Sequence, residues 1–167
     1  MLQQVQSLSD HKANYALLIA QTEHLIQAES DAIANYANIS ALIMQMIEGL
    51  NWVGFYLFKE GELVLGPFQG KIACTRIKIG SGVCGTTFAT QTMHNVPDVH
   101  QFEGHIACDS ASNSELVIPI IVNGNPIGVL DIDSYNFNHF DIHAEETFKR
   151  IVHLIELNLE KNRSLID

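Results

Sequence analysis

Apolar positions recur at helical spacing at the start of the chain. Tyr15, Leu18, Ile19, Thr22, Leu25 and Ile26 fall at i, i+3, i+4 and i+7, and Ile33, Tyr36, Ile43, Met44 and Ile47 repeat the spacing. Ser30 or Asp31 can cap the second helix and Gly49 can end it. The period then shortens. Trp52 to Phe58 is aromatic and apolar, Lys59-Glu60-Gly61 turns, and Glu62 to Leu65 resumes, which predicts a hairpin. Ala73 to Ile79 is a further strand, Gly80 to Gly85 a flexible loop, Thr86 to Thr92 a short helix and His94 to His100 an extended segment. Gln101 to Asn113 follows neither period and reads as a long loop. Glu115 to Val122 and Pro126 to Asp133 form the clearest hairpin, joined at Asn123-Gly124-Asn125. A last helix takes Asp141 as N-cap, Glu145 and Glu146 in its first turns, and Phe148, Ile151, Val152, Ile155 and Leu159 as its apolar stripe. The order predicts an α+β plan. The outer helices cover one face of an antiparallel sheet, and the other face is left for a pocket beneath the central loops.

Strand alternation groups several side chains. Asp131 and Asp133 share a face of their strand, and Ile127 and Val129 are expected on that face too. Glu115 starts the partner strand, and its place depends on the turn. A two-residue turn at Asn123-Gly124 sets Glu115 opposite Ile132, whereas a three-residue turn through Asn125 sets it opposite Asp133. A bulge would convert the first register into the second. Trp52 and Tyr56 share a face with Gly54 between them. Their ordinary reading is core packing, and the sharper one is the wall of a pocket for a small apolar group.

A length of 167 residues fits a single domain over 1–167, with no internal repeat or linker. The net charge of -10, with no Lys/Arg cluster, disfavours nucleic acid and anionic membranes as partners. The first residues lack a signal-peptide pattern and no apolar run approaches a membrane span, so a cytoplasmic location is expected. In a reducing compartment Cys74, Cys84 and Cys108 are free thiols rather than a structural framework, and their separations of 10 and 24 residues contain no C-x-x-C. Cys74 falls on a predicted strand, where a buried thiol is an equal reading, while Cys84 and Cys108 fall in loops that suggest access. His105 and loop N–H groups can support a thiolate at Cys108, and Asp109 opposes it unless it points away. His139 and His143 lie four apart without an H-E-x-x-H pattern, so no metal is expected at the histidines. Gly80-Ser81-Gly82 lacks the lysine of a phosphate loop.

Longer motifs carry a resemblance. Gly66-Pro67-Phe68-Gln69-Gly70-Lys71-Ile72-Ala73-Cys74, Gly82-Val83-Cys84-Gly85, Asp98-Val99-His100, Gly104-His105-Ile106-Ala107-Cys108-Asp109, Ser112-Asn113-Ser114-Glu115 and Gly128-Val129-Leu130-Asp131-Ile132-Asp133-Ser134 resemble, in order, the free methionine-(R)-sulfoxide reductase family. Glu103 stands where that pattern has a proline.

The resemblance implies a GAF-type fold with a six-stranded antiparallel sheet, commonly as a homodimer. It implies Cys108 as nucleophile and Cys74 as resolving thiol, with Cys84 also lining the site. Glu115, Asp131 and Asp133 would hold substrate or supply a proton, and Trp52 and Tyr56 would hold the terminal methyl group. The implied substrate is free methionine-R-sulfoxide, the implied reductant thioredoxin, and no cofactor or metal is called for. The chemistry suits these residue types, because clustered carboxyls raise one another's pKa and keep a proton near neutral pH. The rival reading is a non-catalytic GAF sensor that binds a small ligand, which the fold alone would permit.

Overall fold

The computed structural model describes residues 8–163. In chain order it comprises α1 (Leu8–Ala28), α2 (Ala32–Met46), β1 (Leu50–Lys59), β2 (Glu62–Gly70), β3 (Arg76–Lys78), α3 (Gly82–Thr90), β4 (His94–Val96), β5 (Ser114–Val122), β6 (Asn125–Ser134) and α4 (Ile142–Arg163). The strands form one antiparallel six-stranded sheet in the order β3-β2-β1-β6-β5-β4, which is the expected α+β architecture. Among the described residues no helix is long and apolar enough to cross a membrane.

The caps are local. Asp31 accepts from the Ala34 N–H at 2.9 Å and Asp141 from the Ala144 N–H at 2.9 Å, so each satisfies a first-turn donor that its helix leaves unpaired. The helix before Gly49 already closes at Ile47, whose N–H bonds the Ile43 carbonyl. Ile33, counted in the stripe of that helix, is exposed.

The two faces of the sheet carry separate apolar clusters. Leu18, Ile39, Phe55, Leu130, Ile132 and Phe148 belong to the cluster beneath α1, α2 and α4. Trp52, Tyr56, Val117 and Val129 belong to the other, beneath α3 and the loops. The β5–β6 hairpin settles the register question. Its turn has two residues, with Asn123 at φ 52 and Gly124 at φ 77, the left-handed pair that a tight hairpin requires. That register alone would place Glu115 opposite Ile132. However, pairing shifts from Ile121↔Pro126 to Ile120↔Gly128, so Ile127 is the extra residue of a bulge and Glu115 faces Asp133. The same bulge turns Ile127 to the helix-covered cluster, whereas Val129 lies in the other, so the expected apolar row is broken between them.

Several segments differ from the sequence reading. The strand expected over Ala73 to Ile79 is confined to Arg76–Lys78, and Cys74 precedes it in irregular chain. That stretch is tied instead by single bonds, from the Leu65 N–H to the Thr75 carbonyl and from the Tyr56 hydroxyl to the Cys74 carbonyl. The Gly80–Gly85 stretch is no flexible loop, since α3 begins at Gly82 and carries Cys84 in its first turn. Its glycines serve close approach: a Cβ on Gly85 would run into the Lys78 carbonyl oxygen. The helix also stops at Thr90 rather than Thr92, with Gln91 left-handed at φ 53. The extended segment after His94 ends at Val96, and Asp98 caps a 3-10 turn over Val99–Gln101.

Candidate active site

β6 lies at the middle of the sheet, so its polar pair is flanked from both sides. Asp133 stands beside Trp52 of β1 and Glu115 of β5, and Asp131 stands beside Gly54 and Val117. Opposite residues of antiparallel strands share a face, so Trp52, Tyr56, Glu115, Asp131 and Asp133 all point away from α1, α2 and α4. Gly54 has no alternative. A Cβ there would collide with the Phe68 side chain and come within 2.7 Å of the Trp52 ring. Its absence lets Trp52 stack on Phe68 at 5.3 Å and on Tyr56 at 5.8 Å between ring centroids. Trp52 and Tyr56 form one wall of a cavity of about 30 Å³, space for about two water molecules.

The floor is acidic. Glu115 and Asp131 are buried, and Asp133 keeps some exposure toward the cavity. Burial, reinforced by repulsion from Asp133, pushes the Glu115 carboxyl up to about 8. Burial and neighbouring acids also raise Asp131 and Asp133 well above the usual carboxylate range. Asp131 Oδ1 is buried without a hydrogen-bond partner. The Cys84 thiol, 4.0 Å from Glu115 Oε1, is pushed up by burial and then by Asp131 and Glu115. Its position corrects the expectation of an accessible loop cysteine: Cys84 is buried on the first turn of α3.

The roof is the 101–113 loop. A disulfide joins Cys108 of this loop to Cys74, with Cα atoms 5.7 Å apart. His105 of the same loop sits 3.5 Å from Glu115 Oε2, and burial lowers its pKa. Asp109 is turned to the Ala111 N–H and the Asn51 side-chain amide, which hold its carboxyl low. Asn51 also donates to Ser112 Oγ at 2.8 Å, tying the loop to the start of β1. The sequence reading missed Asn51. Its only signal is a polar residue heading an apolar strand. Phe68, which stacks on Trp52, was quoted in a motif but not placed on a strand, because β2 was expected to end at Leu65. Cys74, Cys84, Cys108, Glu115, Asp131, Asp133, Trp52 and Tyr56 thus line one cavity or its bridge. His139 and His143 belong to no compact donor group among the described residues.

The GAF domain family model matches residues 21–159. The free methionine-R-sulfoxide reductase of Escherichia coli (strain K12) is 49% identical, over 85% of this chain and 86% of that protein. The structure of fRMsr of Staphylococcus aureus (reduced form) superposes with a TM-score of 0.85 at 49% identity, covering 87% of this chain and 95% of the other. The X-ray structure of free methionine-R-sulfoxide reductase from Neisseria meningitidis in complex with its substrate gives a TM-score of 0.90 at 41% identity, over 95% and 96% of the two chains. With this sheet, this cavity and these relatives, the chain belongs to the GAF-domain family of free methionine-R-sulfoxide reductases.

Proposed function

We propose that the protein reduces free methionine-R-sulfoxide to methionine, and that its Cys108 thiolate is the nucleophile. The thiolate attacks the sulfoxide sulfur while a neutral carboxylic acid, Glu115 or Asp133, protonates the oxygen. Oxygen passes to Cys108 as a sulfenic acid and methionine leaves. Cys74 then condenses with the sulfenic acid, releasing water and forming the disulfide, which a thioredoxin-type dithiol reduces. Trp52 and Tyr56 receive the methyl group, and Asp131 with its neighbouring acids receives the α-ammonium, a group that peptide-bound methionine lacks. No cofactor enters this scheme. The protein works as one domain over residues 1–167, in the cytoplasm and as a homodimer.

The observation that carries this reading is the Cys74–Cys108 bridge closed over an acid-floored, aromatic-walled cavity. A sensor of cyclic nucleotides would bring a phosphate to a cavity lined by the carboxyl side chains of Glu115, Asp131 and Asp133 and, among the described residues, by no lysine or arginine to pair with it. The test is dithiol-dependent turnover of free methionine-R-sulfoxide by the purified protein. The R epimer is expected to react, and the S epimer and an oxidised peptide are not. Comparable turnover of both epimers, or of the peptide, overturns the reading.

A further inference from the structure

We propose that Cys84, Glu115 and Asp131 form a binding site for a thiophilic divalent cation, Zn2+ in the first place, and that the oxidised protein offers it. Their donor atoms, one sulfur and two carboxylate oxygens, lie within 4.8 Å of one another and all three residues are buried. Tetrahedral Zn2+ with Zn–S near 2.3 Å and Zn–O near 2.0 Å needs donors roughly 3.3–3.5 Å apart, a contraction within reach of small side-chain rotations.

Two independent observations point to a ligand. Asp131 is among the residues that line the cavity, and its Oδ1 is buried with no hydrogen-bond partner, so one acceptor is left unused where dehydration is most costly. The cavity under the closed disulfide holds about 30 Å³, which suits an ion with a water and excludes an amino acid. His105 Nε2 lies 3.5 Å from the second Glu115 oxygen but outside the compact donor group, so water would complete the coordination. The set of S and O donors is one that zinc accepts and that magnesium, with its preference for oxygen and retained water, does not.

Binding exchanges the Cys84 thiol proton and any carboxyl protons for the ion. The site is separate from the redox pair, since Cys74 and Cys108 spend their sulfurs on each other. Its effect on turnover rests on the proposed reductase reading: the ion occupies the acids that would meet substrate and so competes with it. The binding claim itself does not depend on that reading and is tested without substrate.

Bridging Cys74 to Cys108 leaves Cys84 as the remaining thiol of a chain with three cysteines, so a thiolate–metal signal in the oxidised protein reports Cys84. The experiment titrates chelator-treated, oxidised full-length protein with Co2+. The expected result is a thiolate-to-cobalt charge-transfer band saturating at one ion per chain, abolished by Zn2+, absent in Cys84→Ser and at least ten-fold weaker in affinity in Asp131→Asn. Absence of the band at millimolar Co2+, or its persistence in Cys84→Ser, overturns the proposal. Should Cys84→Ser not fold, thermal unfolding of the oxidised wild-type protein decides. Zn2+ should raise its midpoint and Mg2+ should not, and equal shifts or none overturn the proposal.

Discussion

At the scale of single residues, Glu115 makes the sharpest prediction. Its folded pKa of about 8 lies above the ordinary carboxyl value, so the folded protein keeps a proton that the unfolded chain releases. Stability linked to this group is therefore present below the ordinary carboxyl range and declines as pH rises through the interval up to about 8. Glu115→Gln removes that ionisation and should raise the unfolding midpoint near pH 8, while lowering methionine formation by roughly 10²–10⁴-fold as a lost general acid does. Single-turnover assays across pH in metal-free buffer check both halves. The wild-type rate should fall on the alkaline side of about pH 8, and the variant should lack that limb. Cys108→Ser should form no methionine in a single turnover without reductant. Cys74→Ser should still release one equivalent and then fail to turn over with thioredoxin. A normal burst from Cys108→Ser would move the nucleophile to Cys84. Asp131 and Asp133 were legible from alternation alone, because period 2 places them on one face whatever the turn, whereas Glu115 waited on the register. The thiols were less so. Cys84 sits among glycines that imitate a loop, and only the approach of Gly85 to the Lys78 carbonyl explains why they open a helix.

At the scale of elements, β1 supplies the wall and the β5–β6 hairpin supplies the acids. Gly54→Ala pushes a methyl group into Phe68 Cβ, its backbone Cα and the Trp52 ring, so the wall must shift together with the β1–β2 pairing beside it. The expected outcome is a KM for methionine-R-sulfoxide raised about ten-fold or more, on the scale of a lost apolar contact of ~1–3 kcal/mol, with a smaller change in kcat. Steady-state kinetics beside a circular dichroism spectrum decide it, and an unchanged KM would leave the Trp52–Phe68 stack without a role in binding. The hairpin shows where sequence reading stops. Alternation and Asn123-Gly124 gave the strands and the turn, but two registers remained open. The bulge at Ile127 chooses between them through its side chain, which packs with the helix-covered cluster. That choice is a tertiary contact, and no local pattern contains it.

At the scale of the molecule, the bridge ties a segment after β2 to the loop before β5, across 34 residues of sequence. Restricting the unfolded chain over that span is worth up to ~4 kcal/mol. The oxidised protein should therefore unfold at a temperature higher by on the order of 10 °C than the dithiol-treated one. Differential scanning calorimetry with and without reductant measures this, and equal midpoints would mean that the bridge strains the folded state as much as it restrains the unfolded one. Closure of the same loop leaves no room for an amino acid, so methionine-R-sulfoxide should bind the reduced Cys108→Ser protein and fail to bind the oxidised wild type by calorimetric titration.

The bridge also provides a mark that survives denaturation. In detergent an oxidised chain keeps a closed ring between Cys74 and Cys108, and a ringed chain is more compact than an open one. Oxidised and reduced molecules should separate as a faster and a slower band on a non-reducing gel once free thiols are blocked. The fraction of enzyme caught mid-cycle could then be counted directly in acid-quenched cells, with no label, antibody epitope or activity assay built into the protein.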